Sequence, residues 1–211
     1  MMSIMDVGRP YTALVPTLDG AVATVLASTT RRMTGREVAR LAGRRTHSGA
    51  LDALNRLTEQ GLVQREEAGR ALLYTLNRDH LAAPAVETLA NMRVELLRRI
   101  RATLEGWGTP PRHASMFGSA ARGDGDAASD IDLFMVRRDD VNVENEEWEA
   151  QLDNLAAEVR RWTGNRATIS QAGETELSRM QRAKRPILDE LRKDAITLFG
   201  TDLAAVLEDL T

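Results

Sequence analysis

The sequence predicts an α+β protein with two domains: a small N-terminal domain joined by a long helix to a larger one, which contains a short mixed sheet with flanking helices. Three observations predict this. The chain has 211 residues, enough for one large or two small cores. Segments with helical periodicity alternate with short apolar runs that have the two-residue period of strands. Residues 1–80 carry a formal charge of +3 and residues 81–211 carry −6, which indicates two modules with different partners.

The composition excludes several classes of protein. The chain has no cysteine, so it has no disulfide framework, no thiol catalysis and no cysteine-based zinc site. Its histidines, His47, His80 and His113, are too far apart in sequence to predict a shared metal. The sequence contains no apolar run of transmembrane length and no evident signal peptide. We therefore expect a cytoplasmic protein that does not bind membranes.

The N-terminal part is predicted to be an arm followed by a small helical domain. Residues 1–17 lack clear periodicity and contain two prolines, so they are interpreted as the arm. Thr34 and Glu37 have the spacing of a capping box, which predicts the start of a helix. The elements predicted for residues 18–80 are helices at Leu18–Ala27, Gly35–Leu41 and Ser48–Gln60, then hairpin strands at Leu62–Arg65 and Ala71–Leu76.

Three helices followed by a hairpin resemble a winged helix-turn-helix. In such modules the third helix enters the major groove of double-stranded DNA, and its first residues meet the bases. The resemblance implies DNA contacts from Arg44, Arg45, Thr46, His47, Ser48 and Arg56, with Arg65 and Arg70 beside the wing. Winged helices also serve as protein-docking or purely structural modules, and a charge of +3 is modest, so both alternatives stay open.

A long amphipathic helix is predicted over residues 84–107, at the start of a C-terminal domain that spans residues 81–211. Pro84 suits its first turn. Apolar residues recur near helical spacing at Val86, Leu89, Met92, Leu96, Ile100 and Leu104. The helix is interpreted as the link between the two modules, and a dimerising coiled coil that would make a homodimer is the competing interpretation.

The stretch from residue 117 to residue 132 carries the most specific pattern in the chain. A strand at His113–Phe117 ends at Gly118, which allows a tight turn, and Ser119 is predicted to be the N-cap of a short helix. A helix N-terminus suits a phosphate. Asp130 and Asp132 begin the next strand and point the same way, about 7 Å apart, so they can share a hard divalent cation.

The remaining elements complete the C-terminal domain. They are a strand at Asp130–Arg137, a helix at Asn142–Thr163, a strand at Arg166–Ser170, and helices at Thr175–Arg182, Ile187–Leu198 and Thr201–Leu210.

The pattern of Gly118-Ser119, ten residues, and Asp130-x-Asp132 resembles the signature of the polymerase-β-like nucleotidyltransferases, most closely their minimal branch. The resemblance covers residues 113–170. It implies that Asp130 and Asp132 are catalytic and hold Mg²⁺ or Mn²⁺. It also implies that Gly118 and Ser119 bind a nucleoside triphosphate, with ATP expected. Arg122 is a further candidate for a phosphate contact, and pairing with Asp124 or Asp126 is the equal alternative.

The third carboxylate of that family is missing. The minimal branch places an aspartate on the strand after the long helix, where this chain has Thr168. A hydroxyl is a poor base and a weak ligand beside a carboxylate. Three interpretations stay open: Glu174 or Glu176 serves instead, two aspartates suffice with slow chemistry, or the domain binds a nucleotide and transfers nothing.

Three functions follow from these patterns. The first is an enzyme that transfers a nucleoside monophosphate to a hydroxyl of a protein, an RNA end or a small molecule. The resemblance implies that a toxin partner could be the protein acceptor, as for antitoxins of the minimal branch. The second is a DNA-binding regulator whose nucleotidyltransferase-like domain senses a nucleotide. The third is an interaction scaffold with neither activity.

Overall fold

The computed structural model describes residues 5–43, 47–125 and 129–210, and these form two compact units. One unit comprises residues 9–93. The other comprises the described residues up to Gly8 and from Val94 onward. The division therefore lies within the predicted linking helix, and the predicted N-terminal arm contributes to both units.

The unit of residues 9–93 contains four helices and three short strands among its described residues. After a 3₁₀ turn at Pro10–Ala13, its elements are α1 (Leu18–Ala27), β1 (Met33–Thr34), α2 (Gly35–Leu41), α3 (His47–Glu59), β2 (Val63–Ala68), β3 (Ala71–Leu76) and α4 (Ala83–Ala90). The strands form an antiparallel sheet in the order β1-β3-β2. The helices and hairpin lie close to their predicted places, whereas β1 was not predicted.

The capping box predicted at the start of α2 is confirmed. The Thr34 hydroxyl accepts a hydrogen bond from the Glu37 backbone N–H at 3.3 Å, and the Glu37 carboxylate accepts one from the Thr34 backbone N–H at 2.8 Å. Below this cap the unit has a single apolar core, in which Leu26, Leu54 and Tyr74 are almost fully buried.

The prediction of a single long helix over residues 84–107 is wrong in one respect. The chain forms α4 and then α5 (Met92–Glu105), separated at Asn91, whose φ of −96° and ψ of 2° leave the helical region. Asparagine is a weak helix former because its side chain competes for backbone hydrogen bonds, and the apolar periodicity alone did not show this break.

The second unit is built around a four-stranded mixed sheet. Its elements after α5 are β4 (His113–Phe117), α6 (Gly118–Arg122), β5 (Ile131–Arg137), α7 (Glu146–Thr163), β6 (Ala167–Gly173), α8 (Glu174–Arg182), α9 (Pro186–Asp194), β7 (Ile196–Gly200) and α10 (Leu203–Asp209). The strand order is β6-β5-β4-β7. Strands β5 and β6 are parallel, and the other pairs are antiparallel. The prediction of an α+β fold with a short mixed sheet is confirmed.

Alternate residues of β5 enter two different cores. Leu133 and Met135 pack with buried residues of α5 and α7 on one face of the sheet. Phe134 and Val136 pack on the other face, which is covered by the helices α8, α9 and α10. Because side chains alternate along a strand, Asp132 belongs to the same face as Phe134.

The last predicted helices need correction. The helix predicted at Ile187–Leu198 ends at Asp194, and residues Ile196–Gly200 form β7 instead, antiparallel to β4. The β-branched pair Ile196-Thr197 favours a strand, and the free edge of β4 offers hydrogen-bond partners. The predicted helix at Thr201–Leu210 begins later, at Leu203, with Asp202 as its N-cap.

The described start of the chain packs on this second unit. The backbone N–H of Met5 donates to the carbonyl of Thr163 and to the Asn165 side-chain oxygen, both at 3.1 Å. Val7 is buried in the core beneath α5 and α7. None of the helices formed by the described residues combines the length and apolarity that crossing a bilayer needs.

Candidate functional site

The turn between β4 and α6 lies directly against one of the signature carboxylates. Gly118 has φ of +69°, a conformation that favours glycine. A Cβ at Gly118 would lie 2.8 Å from Oδ2 of Asp132, so a side chain there would collide with the carboxylate. Phe117 and Asp132 are register partners in the antiparallel β4–β5 pair. The glycine therefore lets Asp132 approach the backbone of the turn.

The two signature aspartates meet the start of β6. Asp132 is the register partner of Thr168 in the parallel β5–β6 pair. The Thr168 hydroxyl donates a hydrogen bond to Oδ2 of Asp130 at 3.1 Å. Asp130 is exposed, and Asp132 is half-buried. The end of β4 and the starts of β5 and β6 thus bring Gly118, both aspartates and Thr168 to one edge of the sheet.

The environment raises the pKa of Asp132. Burial is the largest cause, and the negative charges of Asp130 and Glu190 add to it. A cation beside the pair would favour the charged carboxylates, which is the behaviour expected of a divalent metal site.

Asp130 and Asp132 fit a hard cation that is shared with a substrate. In the described parts of the chain, no three His, Asp or Glu side chains are grouped closely enough to hold a metal. Mg²⁺ commonly takes only one or two protein carboxylates and completes its coordination with phosphate oxygens and water. The aspartate pair therefore fits Mg²⁺ or Mn²⁺ together with a nucleotide, rather than a metal held by protein alone.

The sequence predicted Ser119 as the N-cap of α6, and this prediction is wrong. The helix begins at Gly118, and Phe117 occupies the N-cap without a side-chain hydrogen bond. Ser119 instead faces the returning loop, because a Cβ at Gly125 would lie 2.9 Å from the Ser119 Oγ and 3.0 Å from the Ser129 Oγ. The Ser119 carbonyl accepts hydrogen bonds from the N–H groups of Gly123 and Asp124, which holds the loop close to the helix.

Arg122 is engaged in ion pairs. Its Nε lies 3.0 Å from the Asp124 carboxylate, and its NH1 lies 3.0 Å from the carboxylate of Asp194 on α9. Both partners raise the pKa of Arg122. A phosphate would have to compete with these carboxylates for the guanidinium. Asp126, the other predicted partner, lies outside the described residues.

A buried asparagine, which sequence reasoning did not select, supports the strand that carries the aspartates. Asn165 is 1% exposed, and its side-chain N–H donates to the carbonyl of Ser129 at 3.0 Å, immediately before Asp130. Its side-chain oxygen accepts from Met5. Asn165 thus fixes the entry to β5. Its only sequence signal was its place in the turn after α7.

The acids suggested as substitutes for a third carboxylate lie at the other end of the sheet. Glu174 follows Gly173, which pairs with Arg137, whereas Thr168 pairs with Asp132. Six residues of strand separate Thr168 from Glu174, or about 20 Å. Glu174 also forms an ion pair with Arg112. Glu176 is exposed on α8, beyond Glu174. Neither residue reaches the aspartates.

Glu190 is the additional acid whose charge acts on Asp132. It is exposed on α9, where the buried Leu188 and Leu191 attach the helix to the same face of the sheet as Asp132. Asp194, one helical turn further, contacts Arg122 on α6. Because residues four apart share a helix face, Glu190 lies on the side of α9 that is directed to α6. Nothing in the sequence alone places α9 there.

One family model matches the part of the chain that contains the signature. Residues 97–193 match the family model of the nucleotidyltransferase domain. The match contains the Gly118 turn, both aspartates, Thr168 and Glu190.

Two solved structures show partial similarity. One is the crystal structure of a toxin-antitoxin with AMP-PNP, at 18% identity and a TM-score of 0.33, covering 57% of this chain and 82% of that one. The other is a candidate nucleotidyltransferase from Sulfolobus solfataricus, at 18% identity and a TM-score of 0.32, covering 54% of this chain and 87% of that one. No match was found among curated protein sequences.

The residues predicted to contact DNA lie in the other unit, outside the matched region. Arg44, Arg45 and Thr46 lie outside the described residues. His47 is the first residue of α3, and Ser48 is exposed beside it. Arg65 is exposed on β2, and Arg70 is exposed in the turn before β3.

Arg56, the remaining predicted DNA contact, is held by α1. Its Nε and NH2 donate to the two carboxylate oxygens of Asp19, each at 3.0 Å. The pair lowers the pKa of Asp19 and raises that of Arg56. Arg56 therefore joins α3 to α1, and a DNA phosphate would have to replace Asp19.

Proposed function

We propose that the matched region transfers a nucleoside monophosphate from a nucleoside triphosphate, with ATP expected, to a hydroxyl group. The observation that carries this proposal is the meeting of Gly118, Asp130, Asp132 and Thr168 at one sheet edge. Two carboxylates beside a glycine turn at the start of a helix are the apparatus that suits phosphoryl and nucleotidyl transfer.

Each residue has a role in this proposal. Gly118 and Ser119 bind the β- and γ-phosphates through backbone N–H groups and the serine hydroxyl. Asp130 and Asp132 would hold Mg²⁺ or Mn²⁺, which when bound neutralises charge on the triphosphate. The acceptor oxygen forms a bond to the α-phosphorus, and the bond from that phosphorus to the oxygen bridging to the β-phosphate breaks. Pyrophosphate leaves, and the hydroxyl proton passes to water, because Asp130 and Asp132 would hold the metal and Thr168 stands where a third acid would act as the base.

The position of Thr168 favours the interpretation that two aspartates suffice. Its hydroxyl orients Asp130 rather than adding a ligand. General-base catalysis by a positioned carboxylate typically contributes about 10²- to 10⁴-fold, so a site without the third acid is expected to be slow rather than inert.

A label-transfer assay tests the proposal. The full chain is given each α-labelled nucleoside triphosphate with Mg²⁺ or Mn²⁺, together with total RNA, a cell lysate or no acceptor. We expect label transfer that is lost in Asp132→Asn and retained in Asp153→Asn, which removes an exposed carboxylate from α7.

A further variant separates slow transfer from none. Thr168→Asp supplies the missing acid beside Asp130 and is expected to raise the transfer rate by about tenfold or more. Absence of transfer in both the wild type and Thr168→Asp, with every nucleotide, would refute the proposed activity. Nucleotide binding retained under those conditions would favour a sensor.

A DNA-binding regulator is the second candidate function. Its support is the order of elements in the unit of residues 9–93, where α1, α2 and α3 precede the β2–β3 hairpin and β1 completes a three-stranded sheet. This is the order proposed for a winged helix-turn-helix. Arg65 and Arg70 are exposed on the hairpin, where a wing would meet phosphates.

A further inference from the structure

The turn between α8 and α9 carries a dense group of exposed cations, which we call the basic turn: Arg179, Arg182, Lys184 and Arg185. Residues 179–193 contain six Lys or Arg and two Asp or Glu, although the chain as a whole carries a charge of −3. Within the described parts of the chain, none of the four side chains forms a salt bridge. By contrast, Arg112 and Arg122 in the same unit are each paired with carboxylates.

Two of these charges occupy places that the local backbone disfavours. Lys184 has φ of 49°, the left-handed conformation that glycine normally supplies at the end of a helix. It stands in a Schellman arrangement, because the N–H of Lys184 donates to the Gln181 carbonyl and that of Arg185 to the Met180 carbonyl. Glycine at position 184 would form the same turn with less strain.

Arg185 is equally unsuited to its local position. It is the N-cap of α9 and makes no side-chain capping hydrogen bond. Serine, threonine, aspartate or asparagine is preferred there, and the partial positive charge of a helix N-terminus disfavours a cation. Neither charge at the turn is therefore explained by the stability of the fold, and an external anion is the partner that both would favour.

Helix α9 links the basic turn to the neighbourhood of the aspartate pair. Arg185 precedes Glu190 by five residues along α9, a rise of about 7.5 Å. The charge of Glu190 reaches Asp132, and Asp194 at the end of the same helix contacts Arg122 beside the Gly118 turn. Helix α9 thus connects the cations to the edge of the sheet where the acceptor hydroxyl would react.

We propose that the basic turn binds the phosphate backbone of a folded RNA whose free 3′-hydroxyl is the acceptor. This inference rests on the proposed nucleotidyl transfer and names its acceptor class. Arginine and lysine without aromatic neighbours bind phosphates rather than stacked bases, and residues 174–194 contain no aromatic residue. Such a surface fits a structured RNA, which proteins recognise mainly through its backbone and shape, better than an unstacked single strand.

The transfer step extends the RNA by one nucleotide. The oxygen of the 3′-hydroxyl bonds to the α-phosphorus of the triphosphate, the bond to the bridging oxygen breaks, and pyrophosphate leaves. The hydroxyl proton passes to water, and no oxidant or reductant is needed.

Binding of the full chain to a labelled RNA hairpin with a 3′ tail tests the inference, with a DNA hairpin of the same sequence as the comparison. The test variant is Lys184→Gly/Arg185→Ser, which removes two charges and installs the residues that the turn and the N-cap prefer. The matched control is Arg98→Gln/Arg138→Gln, which removes two exposed charges from α5 and from the end of β5, at the opposite face and the opposite edge.

We expect the test variant to bind the RNA hairpin about tenfold more weakly and to reduce the slope of log affinity against log salt by about 2, one for each lost phosphate contact. Its Tm should not fall, which excludes unfolding as the cause. The control should keep the wild-type affinity. The inference is overturned if the test variant binds the RNA hairpin as tightly as the wild type does. It is also overturned if the wild type prefers the DNA hairpin, or if label is transferred to a protein and not to RNA.

The Asp132→Asn variant distinguishes this inference from the proposed function. It should lose label transfer and keep RNA binding. If transfer depends on Asp132 but RNA binding does not depend on Lys184 and Arg185, the inference is overturned and the proposed function stands. RNA binding through the basic turn, without transfer to any acceptor, would support the binding surface and refute the proposed function.

Discussion

Asp132 is the residue at which the proposed function and the stability of the fold conflict. Its folded-state pKa is raised by burial, by Asp130 and by Glu190, so the carboxylic acid is favoured in the folded protein and the charged form is disfavoured. A group with a raised folded pKa contributes stability below its unfolded pKa, and this is lost as pH rises through the folded pKa. At neutral pH the Asp132 charge therefore destabilises the unit.

Asp132→Asn should accordingly raise the Tm at pH 7, by up to about 3 °C, while it abolishes label transfer. The gain should shrink as the pH falls through the raised folded pKa of Asp132 and vanish below the ordinary range of an aspartate, where Asp132 is protonated in both the folded and the unfolded protein. Differential scanning fluorimetry across pH measures both effects. A Tm that is lower at pH 7 would mean that the charge is compensated by a partner in the folded protein.

At the residue scale, the sequence predicted the groups that share a local pattern and missed those brought in by the fold. The signature spacing places Gly118, Asp130 and Asp132 within sixteen consecutive residues, from Phe117 to Asp132, so chain geometry alone brings them together. Asn165 and Glu190 reach the same edge only through the β5–β6 pairing and the packing of α9. The spacing of apolar residues along the sequence does not indicate such contacts between distant residues.

At the element scale, the capping box of α2 is expected to contribute measurably to the unit of residues 9–93. Thr34→Ala removes the hydroxyl that accepts from Glu37 and should cost about 1 kcal/mol of unfolding free energy. Thr88→Ala is the matched control. It removes a hydroxyl that only donates to the Pro84 carbonyl within α4, and alanine is the better helix former. Urea unfolding of each variant measures the difference.

The same cap has a defined pH dependence. Hydrogen bonds from the Thr34 backbone and from Arg31 lower the pKa of Glu37 to about 2. A lowered folded pKa means that the stabilisation is present above the ordinary pKa of 4.5 and is lost as pH falls towards about 2. The cost of Glu37→Gln should therefore diminish in acid, whereas the cost of Thr34→Ala should stay nearly constant, because that variant keeps the Thr34 backbone N–H and Arg31 that hold the carboxylate. An equal cost of Glu37→Gln at pH 7 and pH 3 would show that the charge of Glu37 does not stabilise the cap.

Elements were predictable where one local signal dominated. The capping box and the buried strand β4 have strong local patterns and lie where the sequence put them. The apolar period continued through Asn91 and through Ile196–Gly200, and it did not report a change of backbone conformation. In the first case the break falls at asparagine, a weak helix former, and in the second the chain pairs with the open edge of β4.

At the scale of the whole molecule, the two functional hypotheses differ in what they require of the unit of residues 9–93. The regulator hypothesis requires the unit of residues 9–93 to bind double-stranded DNA. Arg65→Ala/Arg70→Ala should weaken binding to a duplex by about tenfold and reduce the salt slope by about 2 if both arginines meet phosphates. Arg56→Ala should leave the affinity nearly unchanged, because Asp19 already holds that guanidinium. Electrophoretic shifts at several salt concentrations measure both.

The effect of nucleotide on that binding separates regulator from enzyme. If the matched region senses a nucleotide and passes the signal to a DNA-binding unit, adding nucleotide must change the DNA affinity by some factor. Linkage then requires DNA to change the nucleotide affinity by the same factor. An enzyme that uses DNA only as an anchor needs no such coupling. We expect nucleotide and DNA to change each other's affinity by a factor close to one, and we expect DNA to leave transfer unaffected. The reason is that the aspartate pair and the Gly118 turn lie within a single unit. If nucleotide and DNA each change the affinity for the other by about fivefold or more, the regulator hypothesis is supported, because typical allosteric couplings begin at about fivefold.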